Sequence, residues 1–175
     1  MQIRQPFPII TLVGKKGNGK SLTMTALGVE YHLTDGLNIF SNYDLYDVDY
    51  IPVSFKDLAS FPEWLHDGVV LIDESHIGAD AYAFFTQQTK DITKFMTQTR
   101  KRHLTILMTT QIFTQMAKRL RLLTDYIIEC QRTNIEGVIR LDIYDKDNAY
   151  EHMNGFFLDG RPYFKHYDTE QLIME

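Results

Sequence analysis

A glycine-rich segment near the start of the chain restricts its fold more than any other feature. Residues 14–21 read GKKGNGKS, which matches the pattern G-x-x-x-x-G-K-[ST]. The apolar run Pro8–Val13 precedes this segment, and Lys20–Leu33 follows with the apolar spacing of a helix. A buried strand, a glycine-rich turn and a helix in this order predict a phosphate-binding loop in an α/β fold.

The residue types of this segment fit phosphate binding. Its glycines allow backbone angles that turn successive N–H groups towards phosphate oxygens. Lys20 is expected to reach the β- and γ-phosphates, and Ser21 to place its hydroxyl on Mg²⁺. ATP and Mg²⁺ are therefore the predicted cofactors. The residues expected to contact the nucleotide are Gly14, Lys15, Lys16, Gly17, Asn18, Gly19, Lys20, Ser21 and Leu22.

Lys15 allows a second interpretation. It lies five positions before Lys20, the spacing of a lysine that reaches the partner's nucleotide in dimeric ParA-like ATPases. Lys16 stands where that branch usually has a glycine, so a solvated loop lysine is the simpler interpretation of Lys15.

A second motif ends a later apolar strand. Val69–Glu74 reads VVLIDE, four apolar residues followed by two carboxylates. Beside a phosphate loop, Asp73 is expected to hold a Mg²⁺-bound water and Glu74 to activate the attacking water as a general base. The alternative is a strand that ends in ordinary surface acids. Because only hydrolysis needs a base for water, Glu74 favours an ATPase over a kinase.

The third predicted strand, Leu104–Thr110, has polar neighbours at both ends. Gln111 follows it and is expected to lie beside the γ-phosphate as a sensor, or else to cap a backbone group. Arg100 and Arg102 precede it, and either could neutralise charge on a γ-phosphate, including that of a neighbouring subunit. The alternative is a helix end that carries cations because of the helix dipole. Arg119 and Arg121 are the second choice for this role.

The remaining pattern predicts one domain over residues 1–175. Further strands are expected at Leu37–Ser41, Asp125–Gln131 and Val138–Tyr144, and a hairpin about Asp159–Gly160. The predicted fold is an α/β P-loop NTPase: a mainly parallel central sheet flanked by helices, with a C-terminal antiparallel hairpin. The other predicted helices are Phe55–Leu65, with an interruption near Pro62, Thr89–Arg102 and Thr114–Leu123.

Charge is unevenly distributed in a chain of net charge −5. No acidic residue lies between Asp91 and Asp125, a stretch that holds seven basic residues. This indicates either solvated helix faces or a surface for the phosphates of nucleic acid or of a neighbour's nucleotide.

No apolar run approaches the roughly 20 residues of a membrane span, and no signal peptide is recognised. We therefore expect a soluble, cytosolic protein. The single cysteine, Cys130, is expected to be an inert core thiol.

The segments GKKGNGKS, VVLIDES and TRKRHLTILMTTQ together resemble the FtsK–HerA superfamily of P-loop ATPases. Within it, the chain is similar to small genome-packaging ATPases of membrane-containing viruses and to zonula occludens toxin-like assembly proteins of filamentous phages. The closing Tyr167–Glu170 (YDTE) also resembles the tail of such domains. The resemblance implies a RecA-like core and a homo-oligomeric ring, often hexameric, that moves double-stranded DNA with ATP. It further implies a location in the host cytoplasm or in association with the virion. It also implies a sensor role for Gln111 and a finger role for Arg100 or Arg102.

Four functions stay open at this stage. The first is a double-stranded DNA translocase that packages a viral genome into a capsid. It is favoured here because toxin-like proteins generally carry a membrane span after the ATPase domain, and this sequence shows none. The second is a toxin-like ATPase for phage assembly or export, with capsid or membrane-protein vertex components as partners. The third is a small-molecule P-loop kinase, against which Glu74 and Gln111 argue. The fourth is a nucleotide switch with slow turnover.

Overall fold

In the described part of the chain, parallel strands and helices extend as far as Arg132, and two antiparallel strands follow. The computed structural model describes residues 6–73, 95–116, 118–145 and 151–168. Short 3₁₀ helices cover Thr99–Arg102, Phe113–Gln115 and Arg161–His166. The strands and α-helices are β1 (Ile9–Val13), α1 (Lys20–Asp35), β2 (Asn38–Ser41), β3 (Ile51–Pro52), α2 (Phe55–Ser60), β4 (Gly68–Ile72), β5 (Leu104–Thr110), α3 (Lys118–Leu123), β6 (Tyr126–Arg132), β7 (Val138–Asp145) and β8 (Glu151–Asp159).

Within the described ranges, these strands form one sheet in the order β3-β2-β4-β5-β1-β6-β7-β8. Neighbouring strands from β3 to β6 pair in parallel, whereas β7 and β8 pair antiparallel. The predicted fold class, a mainly parallel sheet with antiparallel C-terminal strands, is confirmed. Strand β5 lies between β1 and β4, so the carboxyl ends of all three strands meet at one edge of the sheet.

The sheet buries apolar side chains on both faces, as expected for parallel strands. On one face, Leu58 of α2, Phe95 and Leu120 of α3 pack with strand residues such as Ile106. On the other, α1 packs against strands β1, β4 and β6 through residues such as Met24. Helix α1 begins after Gly19 and ends before Gly36, both in the left-handed conformation that glycine adopts most readily.

The helix that follows the phosphate loop is held on the sheet by a close contact with β4. Leu71 is fully buried, and a Cβ built on Gly28 would lie 2.9 Å from Leu71 Cδ1. We expect Leu71→Ala to lower the free energy of unfolding by about 2–5 kcal/mol, because it removes buried methyl groups and leaves a cavity. Denaturant unfolding measures this loss.

The same contact predicts coupling between the two positions. Alanine at Gly28 gains helix propensity but meets Leu71 in the wild-type chain. In the Leu71→Ala background the added methyl group enters the vacated space. We therefore expect Gly28→Ala to be destabilising in the wild type and less so, or stabilising, in Leu71→Ala. Strictly additive free energies would contradict this packing.

Several predicted boundaries differ from those observed. Helix α2 ends at Ser60 with Phe61 as its cap, just before the interruption expected near Pro62, and it does not resume towards Leu65. The predicted helix Thr89–Arg102 is helical at 95–98 and then tightens to a 3₁₀ helix, while residues 89–94 lie outside the described residues. Likewise, Thr114–Leu123 is divided into a 3₁₀ helix and α3.

The antiparallel tail also differs in detail. The predicted turn at Asp159–Gly160 does not join two strands, because β8 ends at Asp159 and a 3₁₀ helix follows. Strand β7 instead pairs antiparallel with both β6 and β8, and its pairing with β8 runs from Val138 opposite Asp159 to Asp145 opposite Glu151. The two-residue strand β3, Ile51–Pro52, and its pairing with β2 were not predicted.

Candidate functional site

The predicted phosphate loop lies at the carboxyl end of β1, between the ends of β5 and β6. Gly17 and Gly19 have φ angles of 82° and 81°, in the left-handed region. Gly14 approaches the neighbouring strand so closely that a Cβ would lie 2.6 Å from the carbonyl oxygen of Cys130. The loop therefore needs glycine at Gly14 for space and at the other two positions for backbone conformation.

The lysine and asparagine of the motif hold the loop in shape. Lys20 Nζ donates hydrogen bonds to the carbonyl oxygens of Gly14 at 2.8 Å and Lys15 at 3.3 Å. Asn18 N–H donates to the carbonyl of Lys15 at 3.1 Å, and Asn18 Nδ2 donates to the carbonyl of Cys130 at 3.0 Å. Lys20 therefore curls back over the loop, and Asn18 ties the loop to β6.

Asp73 follows β4 and is fixed by two neighbours that the sequence analysis missed. Asn42, just beyond β2, accepts from Asp73 N–H at 2.8 Å and donates to its carbonyl at 3.2 Å. Thr109 near the end of β5 donates to Asp73 Oδ1 at 2.9 Å. The Asp73 carboxyl group is buried, with a relative exposure of 1% for the residue. Polar residues at the ends of two predicted strands were the available signal for Asn42 and Thr109.

The donor set fits Mg²⁺ better than other metals. The predicted ligands, the hydroxyl of Ser21 and the carboxylate of Asp73, are hard oxygen donors. Mg²⁺ usually binds through one or two protein oxygens together with waters and substrate phosphates. Over the described ranges, no cluster of three His, Cys, Asp or Glu side chains could hold a metal without such added ligands. The residues present therefore fit a magnesium–nucleotide complex.

Two tyrosines pack together near the phosphate loop and Asp73, and the sequence analysis assigned neither a role. Tyr43 is buried beside Thr25, with 2.8 Å between the two hydroxyl oxygens. The ring of Tyr167 meets that of Tyr43 edge-on at a centroid distance of 5.7 Å. Burial raises the pKa of both phenols, and the nearby Asp73 carboxylate raises each further. Tyr167 belongs to the YDTE segment, which was noted only as a resemblance.

The structure brings Gln111 to the predicted position. Val13 of β1 pairs with Thr110 of β5, so the next residues of the two strands, Gly14 and Gln111, lie at the same edge of the sheet. Its side chain is exposed. Its sensor role stays a prediction. Glu74, the predicted general base, lies outside the described residues.

Arg100 and Arg102 lie at the opposite edge of the sheet from the phosphate loop. They precede β5, whose seven residues span about 20 Å. Arg100 donates to Asp125 at 2.9 Å yet keeps 56% of its side chain exposed. Arg102 donates to the carbonyl of Pro62, and its guanidinium stacks 4.0 Å from the centroid of the Phe61 ring. Neither arginine can therefore reach the phosphate loop of its own chain.

Cys130 lies in β6 beneath the phosphate loop and is fully buried. Burial raises the pKa of its thiol to about 12, so the thiolate is disfavoured at neutral pH. The environment agrees with the predicted inert core cysteine.

Comparison with known proteins gives a consistent family and fold. A family model described as "Zonular occludens toxin (Zot)" matches residues 9–156. No curated protein sequence matches the chain. Among solved structures, the N-terminal domain of zonular occludens toxin from Neisseria meningitidis is 15% identical, with a TM-score of 0.65, and the alignment covers 93% of this chain and 100% of that one.

Two further structures share the fold. The genome packaging NTPase B204 of Sulfolobus turreted icosahedral virus 2, in complex with ATP-γS, is 17% identical, with a TM-score of 0.54 over 85% of this chain and 97% of that one. A KaiC-like protein from Pyrococcus horikoshii is 10% identical, with a TM-score of 0.54 over 87% and 85% of the two chains. At these identities the likeness establishes the fold alone.

No helix within the described ranges combines the length and apolar character that crossing a membrane requires.

Proposed function

The chain belongs to the zonular occludens toxin family, and from this premise we propose that it is a magnesium-dependent ATPase that drives the assembly or export of a phage particle. The observation that supports ATP hydrolysis best is the joint placement of the phosphate loop, Asp73 and Gln111 at one edge of the sheet. The family match favours assembly or export over genome packaging.

The chain's own residues account for each part of the proposed chemistry. The loop N–H groups and the start of α1 bind the phosphates, and Lys20 contacts the β- and γ-phosphates. Ser21 and Asp73 hold Mg²⁺, which supplies charge neutralisation on the phosphate oxygens when it is bound. Glu74 takes a proton from the attacking water, and Gln111 orients that water.

The clamp on Asp73 gives this proposal a physical basis. A carboxylate that holds a metal must keep its position as charge changes around it, which requires support from neighbouring groups. Asn42 holds the backbone of Asp73 on both sides, and Thr109 holds one carboxylate oxygen. The magnesium side of the site is thus organised by the fold itself.

Replacement of the proposed base tests hydrolysis separately from binding. We expect Glu74→Gln to lower the ATP turnover number on the order of 10²-fold, because the amide cannot accept the proton. Nucleotide affinity should stay within a few-fold of wild type. Steady-state hydrolysis and equilibrium binding of ATP measure the two quantities. The matched control is Glu63→Gln, the same change at an exposed position preceding β4. Equal turnover in the two variants would exclude Glu74 as the base.

A second candidate function is translocation of double-stranded DNA, as in viral genome packaging. The shared fold with a packaging NTPase and the basic stretch between Asp91 and Asp125 support it. Against it, Arg100 and Arg102 are engaged within the chain rather than presented together to a DNA backbone. Lys101 and Lys118 are exposed and are the better candidates for phosphate contacts.

The two candidates differ in what stimulates hydrolysis. A DNA translocase should hydrolyse ATP faster when double-stranded DNA is added, and the increase should fall with salt because phosphate contacts release counterions. An assembly ATPase should be indifferent to DNA and respond to other components of the particle. The experiment measures the ATP hydrolysis that is lost in Glu74→Gln, with and without DNA, at two salt concentrations. A rate that DNA raises indicates a translocase, and a rate that DNA leaves unchanged indicates an assembly ATPase. Absence of any ATP binding by the wild-type protein would overturn both.

A further inference from the structure

The groups proposed to act on the γ-phosphate all lie on one side of the phosphate loop. Gln111 follows β5, which pairs with β1, and Asp73 follows β4, the next strand beyond β5. On the other side of β1 lies β6, and β7 follows it in the sheet. Because a bound nucleotide extends away from its γ-phosphate, its nucleoside has to leave the loop on the side of β6 and β7.

The turn between β6 and β7 lies directly beside the start of α1. A Cβ built on Gly19 would lie 2.4 Å from Ile139 Cδ1 of β7. Just before β7, the carbonyl of Gly137 accepts a hydrogen bond from Gly160 N–H at 2.7 Å. Gly160 in turn packs on Leu22, with 2.7 Å between its ideal Cβ and Leu22 Cδ2. The turn is therefore continuous with Leu22, the last of the predicted nucleotide contacts.

Two side chains of the 3₁₀ helix after β8 pack on this turn. A Cβ built on Gly137 would lie 2.5 Å from Arg161 Cγ and 2.9 Å from Phe164 Cζ. Phe164 nevertheless keeps 46% of its surface exposed. The exposed guanidinium of Arg161 donates to both carboxylate oxygens of Asp159, at 2.8 and 2.6 Å, so its plane is held in one orientation. An exposed aromatic ring and a fixed guanidinium thus lie together where the nucleoside leaves the loop.

We propose that Phe164 and Arg161 form the surface on which the base of the bound nucleotide packs, an inference that rests on the proposed ATP site. Every nucleobase has a planar π face that stacks on aromatic rings and on guanidinium groups. The phosphate loop contacts only the phosphates, so contact with the base has to come from other residues. The turn at Gly137 presents these two side chains beside the loop and leaves one face of the surface open.

A purely structural role for Phe164, in closing the turn at Gly137, makes a different prediction. A residue that only shapes the site affects every ligand of the phosphate loop alike. A residue that contacts the base affects only ligands that carry a base. Tripolyphosphate has the three phosphates of ATP and no nucleoside, so comparison of the two ligands separates the roles.

Phe164→Ala tests the proposal by removing the ring. We measure equilibrium binding of a non-hydrolysable ATP analogue and of tripolyphosphate, both with Mg²⁺. Affinity for the analogue should fall on the order of ten-fold, within the range of one base–aromatic stack. Affinity for tripolyphosphate should match the wild type. Phe164→Trp keeps an aromatic face and should restore binding of the analogue.

Two further variants test the neighbouring group and the specificity of the effect. Arg161→Lys keeps the positive charge and removes the planar group. It should lower affinity for the analogue about two- to five-fold, the range of an exposed cation–π contact, and leave tripolyphosphate binding unchanged. The matched control is Phe157→Ala, which removes an exposed ring of β8 that lies opposite Arg140. Both neighbours of Arg140 in β7 pack in the core on the α1 face, so Phe157 points away from the nucleotide and its loss should affect neither ligand.

The outcomes separate this inference from the proposed function. If the wild-type protein binds neither ligand, the proposed ATP site fails. If it binds both, and Phe164→Ala binds the analogue as tightly as the wild type, only the base surface is overturned. Equal losses for the analogue and for tripolyphosphate in Phe164→Ala would also overturn it, because the ring would then shape the phosphate loop and not contact the base.

Discussion

Lys20→Ala should lower ATP hydrolysis by about 10³-fold and weaken nucleotide binding, because one ammonium group serves both. In the structure Lys20 Nζ lies within 3.3 Å of two loop carbonyls, so the ammonium is already held at the loop. Alanine removes the positive charge that attracts the phosphates, and it also removes the hydrogen bonds that shape the loop. Steady-state hydrolysis and titration with a fluorescent ATP analogue measure both losses.

The matched control for this change is Lys56→Ala, which removes an exposed lysine from α2 on the opposite face of the sheet from α1. It should hydrolyse ATP as the wild type does. Since the loop is not part of the apolar core, Lys20→Ala should unfold near the wild-type denaturant midpoint. Wild-type turnover in Lys20→Ala would show that residues 14–21 do not form the phosphate site.

Arg100→Ala should lower ATP turnover by about 10³-fold or more if Arg100 acts on the nucleotide of a neighbouring subunit. It lies at the edge of the sheet opposite its own phosphate loop, and more than half of its side chain is exposed. Arg102→Ala should instead lower stability and leave turnover largely intact, because Arg102 contacts Pro62 and Phe61 of its own chain. Turnover numbers and unfolding midpoints of the two variants distinguish the roles.

Mixing two inactive variants shows whether Arg100 acts between subunits. A Lys20→Ala subunit still offers Arg100, and an Arg100→Ala subunit still offers an intact phosphate loop. Mixed assemblies should therefore recover part of the activity. The double variant Lys20→Ala/Arg100→Ala, mixed with Lys20→Ala, is the control and should stay inactive. No recovery in the first mixture, with assembly shown by sizing, would exclude action between subunits.

The phosphate loop and the end of β4 were predictable because their signals are contiguous. Residues 14–21 carry a complete motif between a strand and a helix, and Asp73 directly follows an apolar run. Each element has a local pattern that packing does not override. The parallel sheet follows from several such strands separated by helices, so the fold class was predictable as well.

The supporting residues of the site were not predictable because they come from distant parts of the chain. Asn42 and Asp73 are 31 residues apart in sequence, and Tyr167 meets Tyr43 from the other end of the domain. A polar residue after a strand is only a weak signal for Asn42, and no local pattern marks Tyr167. Their roles depend on which strand ends become neighbours.

The hairpin at Asp159–Gly160 was misplaced for a related reason. An Asp–Gly pair is a good local turn signal, but Gly160 is buried against Leu22. Contacts of Tyr163 with Glu30 and of His166 with Tyr46 stabilise a 3₁₀ helix where a second strand was expected. Tertiary contacts thus determined the conformation after the turn.

The opposite placement of Arg100 and the phosphate loop along β5 has a consequence for assembly. Two copies related by a twofold axis bring the same patch of each into contact, whereas Arg100 on a neighbour's nucleotide joins two different patches. Such head-to-tail association leaves one patch of each kind unsatisfied until the last copy meets the first. Closure yields a ring in which every site is complete, and failure to close yields an open filament. Specific activity should consequently fall on dilution, as end subunits become a larger share of all subunits.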